Sequence, residues 1–321
     1  MKFPNLNTSI LCDKMRDKET RISVIIPSYN SYATIGKTIE MLLRQDFDKE
    51  FEIIIIDSSN DGRTTNFLKD LEDKKIKIFL SKTKLNAGEA RNIGVEKSNG
   101  KIIAFLDSDC IPPLNWLKQI DKIFEKHPGI SSLFGVYTGG RTILEKITGG
   151  EYLDKYEIGF YDGFIEGNCA FRRDVFKKGC RWSETQRSQY VDLADCIKNK
   201  VKIPSLWASN LKVTHLGRVN IRKIFKSGTS KFSEDRKNSK NITKVLLFFS
   251  ILLAGLILLI SLLNSGLPML IFLTLPNLVF IYYIANDKMI SLKHKLFLLP
   301  YLLMLRWVFW LGWLYGLLLN L

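Results

Sequence analysis

Four short runs rich in β-branched residues alternate with helical patterns in the first part of the chain. The runs are RISVIIP (21–27), FEIIIID (51–57), IKIFL (76–80) and KIIAFLD (101–107). Each run is followed by a segment with helical spacing of apolar residues, such as SYATIGKTIEMLLRQ after the first and PPLNWLKQIDKIFEKH after the last. This alternation predicts an α/β fold with a mainly parallel, doubly wound sheet.

The pattern downstream of the fourth run is less regular. Short strands are predicted at 131–137, 169–172, 201–204 and 210–215, and helices from about Arg173 and over 190–199. Residues 139–163 are rich in glycine and aromatic residues, which favours an irregular loop that faces a substrate.

The chain changes in composition at Val245, beyond which Leu, Ile, Phe and Trp dominate. Three apolar runs there, at about 245–263, 267–285 and 296–319, predict transmembrane helices. Nine Lys or Arg and only two acidic residues lie between Arg218 and Lys244, which predicts a basic juxtamembrane segment. The predicted organisation is therefore an N-terminal extension (1–20), an α/β domain (21–217), the basic segment (218–244) and a transmembrane region (245–321).

Charge placement predicts the orientation of the chain in a membrane. The basic segment before Val245 and the Lys-bearing loop at 286–295 are expected to stay in the cytoplasm, so the α/β domain faces the cytosol. The first residues lack the apolar core of a secretory signal. The net charge of +15 also suits a nucleic-acid binder, but aromatic residues are not interleaved with the basic cluster, which argues against that partner.

Five cysteines show no CxxC spacing. Their odd number and irregular placement predict neither a disulfide framework nor a zinc site, and favour a reduced setting for the α/β domain.

Asp107, Ser108 and Asp109 end the fourth apolar run, just before two prolines. In doubly wound sheets, ligands bind beyond the carboxyl ends of the strands. Two carboxylates at i and i+2 on such a strand end can turn toward one ligand, and oxygen ligands of this kind suit Mg²⁺ or Mn²⁺. The triplet predicts binding of a metal ion or a nucleotide.

Four motifs in order, VIIPSYN, IIIIDSSNDGRT, LNAGEARNIGVEKSNGKIIAFLDSDC and EGNCAFRRDVF, resemble the family 2 inverting glycosyltransferases with a GT-A fold. The resemblance covers about residues 21–215 and implies that 21–217 is a catalytic domain. It implies a nucleotide-sugar donor, here a UDP- or GDP-sugar.

The resemblance also implies individual roles on the donor side. Pro27 and Tyr29 border the nucleotide base, with Asp57 beside it. Ser58 stands where the family usually has a second acid, which leaves the identity of the base open. The segment that lies against the nucleotide corresponds to Gly88, Arg91 and Asn92, and Arg91 is suited to pairing with phosphate.

The metal and acceptor sides follow in the same way. Asp107 meets the ribose or the metal, and Asp109 meets the metal and the diphosphate. His215 is expected to act as a metal or diphosphate ligand, against the alternative that it is a structural histidine. Gly167 and Asn168 correspond to the segment next to the acceptor.

Inversion needs a general base that removes the proton of the acceptor hydroxyl. Family members supply it from a Glu-Asp pair, but Gln189 and Tyr190 occupy that place in RSQYVDLADC. Asp192 is the favoured base, with Asp195 as the alternative and a helix acid without catalytic role as the third possibility.

The Gln-x-x-Arg-Trp motif of processive family members is absent, since Arg181-Trp182 lacks the upstream Gln. The sequence therefore favours transfer of one sugar to a lipid-linked glycan acceptor in cell-surface polysaccharide or glycoconjugate assembly. Two alternatives stay open: a polyprenyl-phosphate glycosyltransferase, and a catalytically silent membrane-tethered nucleotide-binding module.

Overall fold

The computed structural model describes residues 19–153, 156–161, 164–184, 189–217, 298–304 and 308. The strands within these residues are β1 (Ile22–Ser28), β2 (Phe51–Asp57), β3 (Ile76–Leu80), β4 (Ile102–Leu106), β5 (Cys110–Ile111), β6 (Ser132–Thr138), β7 (Tyr156–Gly159), β8 (Asn168–Arg172) and β9 (Ser205–His215). The helices are α1 (Tyr32–Leu43), α2 (Arg63–Lys69), α3 (Ala87–Lys97), α4 (Trp116–Lys126), α5 (Ile143–Thr148), α6 (Arg173–Lys177) and α7 (Val191–Cys196). A π-helical turn at Ile197–Val201 follows α7.

Half of the sheet is parallel. β1 lies between β2 and β4, and β3 flanks β2, with all four strands running in the same direction. Every residue of β2 and β4 is buried, as expected for parallel strands that are covered on both faces. The four strands predicted from β-branched runs are confirmed to within about a residue at each end.

The other half of the sheet is antiparallel, so the sheet is mixed rather than mainly parallel. β8 pairs antiparallel with both β4 and β6, and β9 pairs antiparallel with both β5 and β7. The strand order across the described part of the sheet is β3-β2-β1-β4-β8-β6-β9-β5, with β7 on β9. β4 is the seam, because it has a parallel neighbour on one side and an antiparallel one on the other.

Two local expectations downstream are wrong. The segment 139–163, expected to be irregular, contains α5 and β7. The strand expected at 201–204 does not form, because Lys202 adopts a left-handed φ of 57° that ends the π-helical turn. β9 starts only at Ser205 and includes the predicted strand at 210–215.

Tertiary contacts divide the chain into two units: residues 1–136 with 156–216, and residues 137–155 with 217–321. The second unit contains α5, which begins with a capping box between Thr142 and Glu145. The predicted division into extension, catalytic domain, basic segment and membrane region stays a prediction.

No helix among the described residues combines the length and the apolar character needed to cross a membrane. The predicted spans at 245–263 and 267–285 lie outside the described residues, as does the basic segment at 218–244. Of the third predicted span, only residues 298–304, which are helical, and residue 308 are described.

Cys180 and Cys196 form a disulfide, against the expectation of reduced cysteines. Their Cα atoms are 5.6 Å apart although 16 positions separate them in the sequence. Cys180 follows α6 and Cys196 ends α7, so the chain fold rather than a local spacing brings them together. Cys110 and Cys169 are buried and take no part in this disulfide.

Candidate functional site

A cleft of about 570 Å³ opens at the carboxyl ends of β1 and β4. Six of the residues predicted from the sequence lie in its wall: Pro27, Tyr29, Arg91, Asp107, Asp109 and His215. Pro27, Tyr29, Asp107 and Asp109 come together because the carboxyl ends of parallel strands share one edge of a sheet, which is where doubly wound folds bind ligands. Arg91 reaches the cleft from α3, and His215 reaches it from the end of the antiparallel strand β9.

The loop after β1 forms one wall of the cleft and is tied to the loop after β2. Asn30, with a left-handed φ of 51°, donates its backbone N–H to the Ser59 hydroxyl over 2.7 Å. Its side-chain amide also donates to Asn60 over 2.9 Å and accepts from the Asn60 backbone. Tyr29 is 38% exposed on this loop, with the Lys84 ammonium 4.4 Å from its ring centroid. An exposed aromatic ring beside a cation suits a planar base that carries phosphates.

Asp57 supports this wall from below. Its carboxylate is buried and accepts hydrogen bonds from the hydroxyls of Ser28, Ser59 and Thr65, over 2.8, 2.6 and 3.1 Å. Ser58, and not Asp57, lies in the cleft wall. The structure thus gives Asp57 a role in holding the two loops together, and its contact with a nucleotide base stays a prediction.

Arg91 joins the two halves of the sheet at the back of the cleft. The helix that carries it, α3, begins with a capping box between Asn86 and Glu89. The Arg91 side chain is 2% exposed and donates from Nη2 to Asp107 over 2.9 Å and from Nη1 to Glu166 over 2.7 Å. Nη1 also donates to Gln189 over 3.1 Å. Because two of its partners are carboxylates, this guanidinium fixes acids in the cleft, and direct pairing with a phosphate stays a prediction.

A stacking contact adds to this arrangement. The Arg91 guanidinium lies 4.7 Å from the ring centroid of Trp182, which is itself buried. Buried cation–π contacts of this type are worth about 2 kcal/mol. Arg91 is therefore held in one orientation by partners from the loop after β4, from the turn before β8 and from the segment before α7.

Glu166 is the acid in the cleft that the sequence did not single out. It lies in the turn before β8, and its side chain is 21% exposed. Burial raises the pKa of Glu166 above its usual value, and the Asp107 carboxylate acts in the same direction. The Arg91 guanidinium and a hydrogen bond from the Tyr190 backbone oppose that shift.

Asp109, Cys110 and His215 form a cluster with metal-ligating atoms at one end of the cleft. Their ligating atoms all lie within 4.8 Å of one another, and Asp109 Oδ2 is 3.4 Å from His215 Nε2. Cys110 and His215 are directly paired across β5 and β9, which puts both side chains on one face of the sheet. The spacing and chemistry of carboxylate and imidazole fit a divalent cation of the Mn²⁺ type.

Other predicted residues pack around the cleft without lining it. A Cβ on Gly88 would come within 2.1 Å of the Ser183 carbonyl oxygen, so this glycine allows close packing. Asn92 exchanges two hydrogen bonds with the Trp182 backbone, over 3.0 and 2.9 Å. Gly167 is buried, and its carbonyl accepts from the Asp107 N–H over 3.4 Å.

Asn168 and Asp192 are likewise not among the residues that line the cleft. Asn168 is fully buried, donates to the carbonyls of Val136 and Leu211, and accepts from the indole N–H of Trp116. Asp192 is exposed in the first turn of α7. The acceptor role of Asn168 and the base role of Asp192 therefore stay predictions without support from the geometry of the cleft.

The sequence carried one weak signal for Glu166. It directly precedes the Gly-Asn pair in the EGNCAFRR segment, but acids before glycine are common in turns. The antiparallel pairing of Leu106 with Asn168 brings this turn to the end of β4. That pairing depends on contacts far apart in the sequence and has no local signature.

Comparison with known proteins agrees with the fold and the motifs. The glycosyltransferase AglE of Haloferax volcanii is 28% identical over 142 residues, which cover 42% of this chain and 44% of AglE. The Escherichia coli protein WfgD, a UDP-Glc:α-D-GlcNAc-diphosphoundecaprenol β-1,3-glucosyltransferase, is 32% identical over 117 residues, covering 36% of this chain and 45% of WfgD. The matches span less than half the length of either relative.

The structural likeness extends further along the chain. The mannosyltransferase PcManGT from Pyrobaculum calidifontis, solved with GDP-Man and Mn²⁺, superimposes with a TM-score of 0.61 over 94% of this chain and 88% of its own. The two sequences are only 13% identical, so this likeness shows the fold alone. Residues 23–180 match the model of glycosyl transferase family 2. This chain therefore carries a glycosyltransferase family 2 domain, built on a mixed α/β sheet of the GT-A type.

Proposed function

We propose that this chain is a membrane-anchored inverting glycosyltransferase that transfers one sugar from a UDP- or GDP-sugar to a lipid-linked glycan during assembly of cell-surface polysaccharide. The observation that carries the proposal is the cleft itself. It gathers an exposed aromatic ring on the loop after β1, the Asp107 and Asp109 carboxylates after β4, and His215 at the end of β9. These are the groups that a base, a ribose and a diphosphate require.

The names of the relatives support both substrates. WfgD uses a UDP-sugar and an acceptor linked to diphosphoundecaprenol, as its name states, and PcManGT was solved with a GDP-sugar. Ser58 in the cleft wall, where an acid is common in the family, leaves the choice between UDP and GDP to experiment.

The reaction we infer is a single displacement at the anomeric carbon. The acceptor oxygen forms a bond to that carbon from the face opposite the diphosphate, while the bond from carbon to diphosphate oxygen breaks. The diphosphate leaves with the bonding electron pair, and the acceptor proton passes to a base. Tyr29 and the loop after β1 hold the nucleotide, and Asp107, fixed by Arg91, lies where the ribose is expected.

Asp109 and His215 are the residues that would hold a divalent cation, and Mg²⁺ or Mn²⁺ supplies charge neutralisation of the diphosphate when it is bound. The Asp109 to His215 separation of 3.4 Å fits two ligands of one ion. Cys110, buried beside them, is a softer donor that favours Mn²⁺ over Mg²⁺.

The membrane part of the proposal rests on the sequence. Three apolar runs follow a basic segment, and the charge pattern predicts that the glycosyltransferase domain faces the cytoplasm. Acceptors carried by a lipid are confined to the bilayer surface, and a basic juxtamembrane segment would hold the domain next to anionic headgroups.

The first test uses the full chain in detergent with a panel of sugar nucleotides and a lipid-linked oligosaccharide, with Mg²⁺ or Mn²⁺ present. Release of nucleoside diphosphate from one donor is expected, and Asp109→Asn should lower it by about 10²-fold or more. Asp174→Asn is the matched control, because Asp174 is exposed on α6 and lies outside the cleft wall. The product linkage, read by NMR, should have the anomeric configuration opposite to that of the donor.

The acceptor and the orientation are tested in membrane vesicles that contain the full chain. Inverted vesicles should transfer sugar from an added nucleotide donor, whereas right-side-out vesicles should do so only after permeabilisation. Glycosylation of polyprenyl phosphate alone, with no activity toward any oligosaccharide-lipid, would favour the polyprenyl-phosphate alternative. Tight donor binding without turnover for every donor and acceptor would favour a silent nucleotide-binding module.

A further inference from the structure

The cleft contains a carboxylate that the donor and metal sites do not use. Among the described residues, three acids line the cleft: Asp107, Asp109 and Glu166. Asp107 and Asp109 follow β4 and belong to the part of the cleft expected to bind ribose, diphosphate and metal. Glu166 comes from a different part of the sequence, the turn that leads into β8.

The topology explains why Glu166 reaches the cleft. β8 runs antiparallel to β4, with Asn168 paired to Leu106, so the start of β8 lies beside the end of β4. The Asp107 N–H donates to the Gly167 carbonyl across this junction. Glu166, one residue before Gly167, is thereby placed beside Asp107 in the wall of the same cleft that Asp109 and His215 line.

Glu166 also lies next to Gln189 and Tyr190, which stand where the family has its pair of acids. Gln189 and Glu166 both accept hydrogen bonds from Arg91 Nη1, over 3.1 and 2.7 Å. The Tyr190 backbone N–H donates to the Glu166 carboxylate. A carboxylate therefore lies against the Gln189-Tyr190 pair although neither of those side chains is an acid.

The Glu166 environment suits proton transfer. Its side chain is only 21% exposed, and burial raises the pKa of this carboxyl above its usual value. A base with a pKa closer to neutrality transfers protons more effectively than an ordinary surface carboxylate. The charged groups that face it are Arg91 from α3 and Asp107 from the end of β4, which act on the Glu166 pKa in opposite directions. Asp192, by contrast, is exposed and outside the cleft wall.

We propose that Glu166, from the turn before β8, is the catalytic base that replaces the acid missing at Gln189-Tyr190. The inference rests on the proposed glycosyltransferase function and assigns a step within it. The Glu166 carboxylate takes the proton of the acceptor hydroxyl as the oxygen-to-carbon bond forms and the bond to the diphosphate oxygen breaks. The negative charge leaves with the diphosphate, and the protonated Glu166 returns its proton to solvent before the next turnover.

The decisive variant is Glu166→Gln in the full chain, assayed with the donor and acceptor that the natural chain uses. The Gln side-chain oxygen can still accept from Arg91, so the packing is expected to survive. The kcat for transfer should fall by about 10²- to 10⁴-fold, while the dissociation constant for nucleoside diphosphate and the melting temperature stay close to those of the natural chain. Asp174→Asn, exposed on α6 and outside the cleft wall, is the control and should change kcat by less than about threefold. A larger fall in kcat for Asp192→Asn than for Glu166→Gln would overturn Glu166 as the base.

Azide provides a second readout, which would not change if Glu166 had only a structural role. Azide is an anionic nucleophile with no proton to remove, so it needs no base to attack the anomeric carbon. Glu166→Ala should form glycosyl azide from the donor faster than it glycosylates the natural acceptor, whereas the natural chain should prefer the acceptor. If Glu166→Gln folds poorly, Glu166→Asp is measured instead. Because the Asp side chain is shorter, kcat should fall at least tenfold while nucleotide binding is not weakened.

The outcomes separate this inference from the proposed function. If the natural chain transfers sugar and the kcat of Glu166→Gln is within about threefold of that of the natural chain, Glu166 is not the base. The proposed function would be unaffected by that result. A fall in nucleotide affinity that matches the fall in kcat, with no azide product, would likewise overturn Glu166 as the base in favour of a structural role. Absence of transfer by the natural chain with every donor and acceptor would refute the proposed function, and this inference with it.

Discussion

The two halves of the sheet contribute to the cleft in different ways. In the parallel half, β1 and β4 each end in residues that enter the cleft directly, such as Tyr29 and Asp107, so each contribution is local in sequence. In the antiparallel half, Glu166 comes from just before the start of one strand and His215 from the end of another, 49 positions apart by their numbers. In the parallel half, each group of cleft residues directly follows its strand in the sequence. In the antiparallel half, the cleft residues come from segments that are far apart in the sequence.

The two halves are expected to have different functions in the proposed reaction. The parallel half offers the groups expected to bind a nucleotide, a ligand shared by many enzymes. The antiparallel half holds Glu166 and Gln189, where the proposed proton transfer takes place, and also His215, which with Asp109 would hold a metal ion. Arg91 connects the halves within the cleft, because it comes from α3 and bonds to acids from both.

The largest effect is therefore expected from cutting this connection. Arg91→Met would leave the Asp107 and Glu166 carboxylates without their buried cation, and loss of one partner of a buried ion pair costs about 3–5 kcal/mol. The free energy of unfolding, measured in urea on the full chain in detergent, should fall by that amount. Arg91→Lys is the control: it keeps the charge but loses the fork, so its loss of stability should be smaller.

A change below about 1 kcal/mol for Arg91→Met would contradict this account. It would mean that the halves are held together by the β4–β8 pairing and the buried apolar side chains alone. Transfer activity should fall in both variants, because Asp107 and Glu166 lose the group that fixes their positions.

The sequence predicted the parallel half well for a physical reason. Buried parallel strands such as FEIIIID are continuous apolar runs, and each is followed by a helix with its own periodicity, so both signals are local. The Asp107–Asp109 triplet was placed at the cleft by the rule that ligands bind at the carboxyl ends of such strands. His215 was correctly expected at the end of a strand.

The antiparallel half was harder because its pairings are made across long stretches of chain. Nothing local in EGNCAFR indicates that β8 lies against β4, so the sequence points to Asp192, the nearest acid to the Gln189-Tyr190 pair, and carries no clear signal that Glu166 lines the cleft. Cys180 and Cys196 show the same limitation, since their pairing depends on where α6 and α7 end in space. Lys202 has a left-handed backbone conformation, which prevents the predicted strand from forming, and no hydrophobic pattern encodes that conformation.

The Cys180–Cys196 disulfide lies in the antiparallel half and closes a loop that includes Trp182 and Gln189. A disulfide that closes a loop of roughly 15 residues lowers the conformational entropy of the unfolded chain, which stabilises the folded state by about 3 kcal/mol. Dithiothreitol should therefore lower the free energy of unfolding of the natural chain by about that amount. The double variant Cys180→Ser with Cys196→Ser should be insensitive to the reductant, which controls for other effects of the reagent.

Mass spectrometry after alkylation of the non-reduced protein checks the bond itself, since Cys180 and Cys196 should stay unlabelled. If both become alkylated and dithiothreitol leaves the unfolding curve unchanged, the loop is held by packing instead. The contrast between the halves would then lie in strand direction and not in a covalent constraint.

The smallest effect is expected at Gly88, where α3 from the parallel half packs against the segment before α7. An added Cβ would come within 2.1 Å of the Ser183 carbonyl oxygen and 3.1 Å of Gln189 Cγ, so the backbone at Ser183 must move. Gly88→Ala should lower the free energy of unfolding by about 1–3 kcal/mol, because overpacking outweighs the helix propensity that alanine adds. Gly129→Ala is the matched control, since nothing lies within 4 Å of its Cβ position and its stability should change by less than about 0.5 kcal/mol. Equal stabilities for the two variants would show that the backbone at Ser183 moves away from α3 without cost, so that close packing at Gly88 adds nothing to the contacts that Arg91 and Asn92 make with the antiparallel half.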